Sequence, residues 1–441
     1  MEERQRYQPK HGGKKKAAKR ISREKMIRRI VSVSIAVLLL IGIITLVVKI
    51  FTKDKGPEDV AEETTKKPKK SQSKVIDADE VVAEAKVLST GDVLVHEMIL
   101  NNSKDGSGYS FDKHFRAIKD EVSAADFAIA NLEVTLGDTS KPYKCYPTFR
   151  SPDSIAKAIK NTGFDGVVTA NNHCYDTAFE GLKRTVSVVD DLGLKHTGTR
   201  NDLSQKKYIV VDVNGIKIGI VNYAEETKSD ADRKALNGIT LAAEANKYVN
   251  SWYSTSTLYS EMTENIKNMK ADGAEVIMLY IHWGVEYSLT PSANQKEIAQ
   301  KMCDLGVDVI IGGHPHVIQP ATTLTSSDGS HKTFCIYSVG NLLSNQRTEY
   351  MGSACTTGHT EDAIFVYTTF TKYGDGSVKL TDVSYSPLWI NRYDEGGSLV
   401  YEITNVSSPS KIKSHKEEAQ KSLDRTNKLV KEGFDSYKSA A

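Results

Sequence analysis

Between residues 85 and 392, short apolar runs alternate with longer stretches whose apolar positions recur at helical spacing. The runs predict strands over 85–88, 127–131, 166–170, 208–213, 216–223, 275–281, 307–311 and 333–337. Helical periodicity predicts helices over 111–122, 151–162, 179–192, 258–271 and 293–305. Strand–helix alternation of this kind predicts an α/β domain. Two runs flanking the turn sequence YGDGS, 363–371 and 378–386, read instead as an antiparallel hairpin.

Outside that block the pattern changes twice. Residues 30–48 form 19 consecutive positions without a charge, IVSVSIAVLLLIGIITLVV. A helix that long is about 28 Å, close to the hydrocarbon thickness of a bilayer. Residues 1–29 carry 12 Lys and Arg against 3 Glu, a charge of +9, which leaves −7 for the rest of a chain whose total is +2. Cations packed before an apolar run hold that side in the cytoplasm. The expectation is a single-pass type II protein of the cell membrane with its domain extracytoplasmic. A cleaved signal peptide competes, but KIFTKDKGPED offers no small-x-small cleavage site, so an uncleaved signal-anchor is favoured. The organisation that follows is a basic cytoplasmic tail (1–29), a transmembrane anchor (30–50), a flexible stalk (51–84), the α/β domain (85–392) and a charged helical tail (393–441). The stalk is assigned because its charged, Pro-containing sequence has too little apolar surface to fold. Within the tail, 410–439 reads as a polar helix anchored by Ile412, Leu423, Leu429, Val430 and Phe434.

Composition narrows the classes further. At 26% charged and 39% hydrophobic, with 30 Gly, 11 Pro and 5 Cys in 441 residues, the chain is neither collagen-like, wholly disordered nor disulfide-dense. Topology accounts for the basic tail, and no nucleic-acid-binding signature accompanies it, so nucleic acid is not an expected partner. No CxxC pair occurs among Cys145, Cys174, Cys303, Cys335 and Cys355. Cys145 and Cys174 flank one predicted strand and make the favoured pair if a disulfide forms. Nucleophile-elbow, Walker A and Rossmann glycine patterns are all missing, which removes serine hydrolases, P-loop NTPases and dehydrogenases from consideration.

The chemistry-bearing residues stand where the predicted strands end. These are Thr90-Gly91-Asp92, Asn131-Leu132-Glu133, Asn171-Asn172-His173, His282-Trp283-Gly284 and Gly312-Gly313-His314-Pro315-His316. Carboxyl ends of strands in α/β sheets converge on one crevice, so distant segments meet there. Asp92, Glu133, Asn172, His282, His314 and His316 form an oxygen and nitrogen donor set suited to divalent Mn, Fe, Zn or Mg, one ion or two. A hydrogen-bonded polar crevice without metal is the plainer alternative. Two His at i, i+2 after an apolar strand are hard to justify by packing and favour the metal. Lys144 and Arg150 lie nearby in sequence to orient an anionic substrate, with ordinary surface salt bridges as the competing explanation.

The series GDV, ANLEVTLG, TANNHCYD, HWGVEY, GGHPHVIQP and YSVGNLL resembles the capsule synthesis CapA family over roughly residues 85–392. Members are associated with poly-γ-glutamate capsule and resemble metallophosphoesterases of the calcineurin-like superfamily. The resemblance implies a four-layer α/β/β/α metallophosphoesterase-like sandwich, preceded by a single transmembrane helix. It also implies roles: Asp92 and His316 on a first metal, Glu133 bridging, Asn172, His282 and His314 on a second, and His173 as general acid. The superfamily's first motif, Asp-x-His, is absent here because Val93 and Leu94 follow Asp92, so the first metal has fewer ligands and a single-metal site is an alternative. The functional expectation is a part in poly-γ-glutamate capsule synthesis or export, with the membrane, an anionic polymer and membrane synthase subunits as partners. A surface metal-dependent hydrolase of a phosphoester or amide polymer, and a non-catalytic subunit with a vestigial site, are the alternatives.

Overall fold

The computed structural model describes residues 77–227, 234–412 and 414–440. The expected tail, anchor and most of the stalk lie outside the described residues. Among those described, no helix is long and apolar enough to cross a membrane.

Two mixed sheets form the framework. The first runs Ser398–Asn405, Val378–Glu395, Asp362–Tyr373, Val81–Val93, Phe127–Leu132, Gly166–Val168 and Lys195–Thr197, with Asn341–Leu343 added beside the end of Val81–Val93. The second runs Ser251–Trp252, Ile216–Glu225, Val276–His282, Val309–Gly313, Lys332–Val339 and Ile318–Thr325, with Tyr208–Val213 antiparallel on Ile216–Glu225. Alternation along each strand sends successive side chains to opposite faces. Val87, Phe127 and Ile129 from the first sheet meet Ile218, Ile220, Met278 and Ile311 from the second in one core between them. Their neighbours Leu88, Ala128 and Ala130 face the other way, onto Ile155 and Ile159 of the Ser154–Thr162 helix. On the far side of the second sheet, Ile277, Leu279 and Ile281 pack on the Thr255–Ala271 and Ala293–Asp304 helices. Helices, sheet, sheet and helices are therefore stacked in that order.

Departures from the sequence expectation have local causes. The helix expected over 111–122 is broken into Asp112–Phe115, a 3₁₀ turn at Arg116–Ile118, and Lys119–Ser123. Periodicity places the buried Phe115, Ile118 and Val122 correctly but does not report the winding. The strand Ile318–Thr325 is absent from the expectation because Pro320 interrupts its pattern; it lies at the edge of its sheet, where proline is tolerated. The domain does not end at 392. Val378–Glu395 runs through that point, and Ser398–Asn405 pairs with it, burying Tyr401 and Ile403 in the outer core. Nor is the C-terminal helix a tail. Lys416–Ala440 buries Ala419, Thr426, Val430, Phe434 and Tyr437, and the Phe434 ring lies 5.0 Å from Phe334 of the second sheet. All five cysteines are free thiols, and Cys145 and Cys174 pack into separate apolar clusters, so the favoured disulfide is not formed.

Candidate metal centre

Register brings the strand ends together. In the first sheet Asp92 stands opposite Asn131 on one side and Asn341 on the other. In the second, His282 stands opposite Gly313. The two sheets are tied just beneath the site: Asn222 of the second sheet accepts the amide hydrogens of Thr169 and Ala170, and Tyr280 bonds the Ser89 hydroxyl at 2.6 Å. Close approach sets the residue type at two positions. A Cβ on Gly91 would come within 1.9 Å of the Gly340 carbonyl oxygen, and one on Gly312 within 1.9 Å of that of Tyr337.

Asp92, Glu133, His282 and His316 are all buried, and His314 partly so. Two overlapping triads, Asp92–Glu133–His282 and Glu133–His314–His316, have ligand atoms lying within 4.8 Å of one another. The Nε2 of His282 faces Asn172 Oδ1 at 2.9 Å, His314 Nδ1 at 3.2 Å and Glu133 Oε1 at 3.3 Å. One ring nitrogen carries one proton or one lone pair, so it cannot satisfy three partners. Glu133 Oε1 is buried and has no hydrogen bond of acceptable geometry, although two imidazoles face it at ion-pair distances. An orphaned buried carboxylate oxygen among converging lone pairs is the coordination environment of a cation. The six residues expected as ligands therefore meet in one pocket, and they fit a divalent ion.

Charge tells the same story. Burial would raise the Asp92 carboxyl, but the His316 hydrogen bond and charge, supported by His282 and Asn131, hold it well below the usual carboxylate range. Burial and the adjacent Asp92 charge push Glu133 well above that range. Burial disfavours a proton on His316, yet Glu133 and Asp92 outweigh it and raise the imidazole to about 9. His282 is driven down to about 3 by burial and then by His316 and His173. Without an ion, one protonated imidazole stands in for the cation and one carboxyl stays neutral. His316's stabilising contribution is fully present below pH 6.5 and lost as pH rises through about 9. The metal-free protein is expected to lose thermal stability across that window, read by melts in chelator. Divalent-ion affinity should rise by up to about tenfold per pH unit over the same range, because the ion displaces that proton.

His314 and His316 have left-handed backbone, φ 96° and 56°. Each costs about 1–3 kcal/mol for a residue other than glycine and is held by its surroundings. The His316 Nδ1 bonds Asn341 Oδ1 at 3.0 Å, and Asn341 Nδ2 returns a bond to the His316 carbonyl. Asn131 donates to Asp92 at 2.7 Å and is itself held by Asn171.

His173 stands beside the cluster and outside the converging triads. Its Nδ1 lies 2.8 Å from Asp176 Oδ2, an oxygen that also accepts the Phe149 amide hydrogen. Phe149 stacks edge-on against His173 at 4.8 Å and against His96 at 5.4 Å. The two expected substrate cations are placed differently. Arg150 donates to the carbonyls of Asp138 and Lys141 and to the Asp138 carboxylate, so its guanidinium is committed to its own loop. Lys144 is exposed.

Sequence reasoning missed three contributors. His96 accepts the Asn345 amide hydrogen at Nδ1, and burial together with His316 and His173 drives it down to about 3. Its signal was GDVLVH, four positions beyond Asp92. Asn341, within YSVGNLL, holds His316. Tyr287 of HWGVEY lies 6.3 Å from the His316 ring and also takes a hydrogen bond from Gln346.

The family model for bacterial capsule synthesis protein PGA_cap matches residues 86–346. The chain belongs to this family. Every candidate ligand falls inside the matched PGA_cap region. Two relatives are similar to it: "Capsule biosynthesis protein CapA" of Bacillus anthracis, 27% identical over 58% of this chain and 59% of that one, and "PGA biosynthesis protein CapA" of Bacillus subtilis, 26% identical over 62% and 65%. The matches thus span about six tenths of the length of these relatives. A purple acid phosphatase from yellow lupin overlaps 73% of the chain and 53% of its own at 10% identity, but with a TM-score of 0.32 the likeness carries no weight.

Proposed function

We propose that this PGA_cap protein is a membrane-anchored, extracytoplasmic factor in poly-γ-glutamate capsule synthesis or export, working through a divalent-metal centre on a metallophosphoesterase-like fold. The observation that carries the proposal is the unpartnered, buried Glu133 Oε1 at the focus of His282, His314 and His316. An ion there would be held by Asp92, Glu133, Asn172, His282, His314 and His316. Such an ion, when bound, acidifies water and polarises a phosphoryl or amide oxygen. Asp176 fixes the orientation of His173, which supplies a proton to the leaving group from outside the ligand set. That dyad favours a second reading, hydrolysis of a phosphoester or amide polymer, over a vestigial site. The names of the two Bacillus relatives support the capsule assignment. Membrane synthase subunits are the partners this reading requires.

Metal analysis of the purified protein, joined to activity screening on phosphoester and γ-glutamyl substrates, tests the proposal. A wild type without metal or turnover would leave only the non-catalytic subunit. Topology is tested separately: protease added to intact cells or protoplasts is expected to digest residues 52–441 and spare a short anchored fragment. Protection of the whole domain would remove the cell-surface assignment while leaving the metal centre untouched.

A further inference from the structure

A groove of about 760 Å³ lies outside the candidate ligand set, and the chemistry assigned so far does not use it. Its walls come from the helix Glu97–Asn102 and from residues 139–146. Tyr109 and Tyr143 form an edge-to-face pair along it, with ring centroids 5.2 Å apart, and Arg150 sits over the Tyr143 ring at 5.7 Å. Lys104 and Lys141 line it and are exposed, and among the described residues neither makes an ion pair. Lys144 follows Tyr143 on the same loop and is equally free. Glu97 is the one carboxylate among the lining residues.

Two chains of contacts link the groove's rim to the candidate site. Tyr146 lines it and is 71% exposed, a large aromatic ring left in solvent. The next residue, Pro147, accepts a hydrogen bond from Asn237, whose amide also reaches His173 and Asp176 at 3.4 Å. On the other wall Glu97 directly follows His96, which shares the Phe149 ring with His173. Through Pro147–Asn237 on one wall and His96–Phe149 on the other, the lining residues Tyr146 and Glu97 stand near the His173–Asp176 dyad.

We infer that this groove is the binding track for an extended anionic polymer, a γ-linked glutamate chain, delivered along Lys104 and Lys141 to the metal centre. The inference rests on the capsule reading and deepens it. Free carboxylates on such a polymer meet unpaired ammonium groups at the rim, while its methylene and amide backbone lies against the tyrosine faces. Arg150, engaged by its own loop, keeps the 138–150 wall in shape rather than contacting the polymer.

The test is binding of purified poly-γ-glutamate oligomers to the full-length protein by calorimetry, at two salt concentrations. Lys104→Glu with Lys141→Glu is expected to weaken binding by about tenfold or more and to flatten its salt dependence. Lys104→Arg with Lys141→Arg should retain both. Both positions are exposed, so melting temperature should not move. Wild-type binding that charge reversal leaves within about twofold would overturn the groove assignment and leave the capsule reading standing. A wild type that binds no oligomer would remove both.

Discussion

Alanine at both His314 and His316 is expected to reduce divalent metal in the purified protein from stoichiometric to background, and to abolish any hydrolytic turnover the wild type has. The two residues form one of the converging triads with Glu133. Asp92, Glu133, Asn172 and His282 remain, four donors without the imidazole that now faces both buried carboxylates. Two measurements separate ligand loss from misfolding. The first is metal content by mass spectrometry alongside the thermal melt. The second is His314→Asn, because asparagine tolerates the φ of 96° at that position better than alanine does. A folded double variant that still holds stoichiometric metal would remove the centre from the proposal.

The second large effect concerns the C-terminal helix. Arg425 donates from Nε and Nη2 to the two oxygens of Asp362 at 2.7 Å each, and the Ser422 hydroxyl adds a third bond at 2.6 Å. Asp362 is almost wholly buried and opens the Asp362–Tyr373 strand at the centre of the first sheet. Arg425→Leu strips the charge partner from a buried carboxylate and is expected to cost about 3–5 kcal/mol in urea unfolding. Adding Asp362→Asn should recover much of that loss, because the uncompensated charge rather than the lost bond dominates. A cost under about 1 kcal/mol would mean that the helix is only loosely docked.

Much of the site was legible because its signal is local. Asp92, Glu133, Asn172, His282, His314 and His316 each follow an apolar run, and strand-end convergence gathers them without knowledge of packing. Legibility fell where the deciding partner lies in another segment or across a turn whose closure no local pattern reports. Arg150 looked like a substrate cation until the turn at Asp138–Lys141 claimed it. His96 has only its place four positions beyond Asp92 as a signal, and its contacts with Phe149 and Asn345 bring it to the crevice. The 393–441 segment read as a charged tail because the exposed faces of its strand and helix dominate the composition. The buried stripe finds its partners only in the folded structure, where Ala419 packs with Trp389 of the first sheet and Val430 and Phe434 enter the core between the sheets.

The sequence by itself determined the α/β class, the inner and outer faces of the strands and the donor set at their ends, since each depends on spacing within a few residues. Tertiary structure alone decided which oxygen is left unpartnered, which arginine is occupied and where the domain stops. The first depends on distances between segments a hundred or more residues apart, such as Asn172 and His282 or Asp92 and His314, which the pairing of two sheets sets; the second depends on how the turn before Arg150 closes, and no local pattern records either.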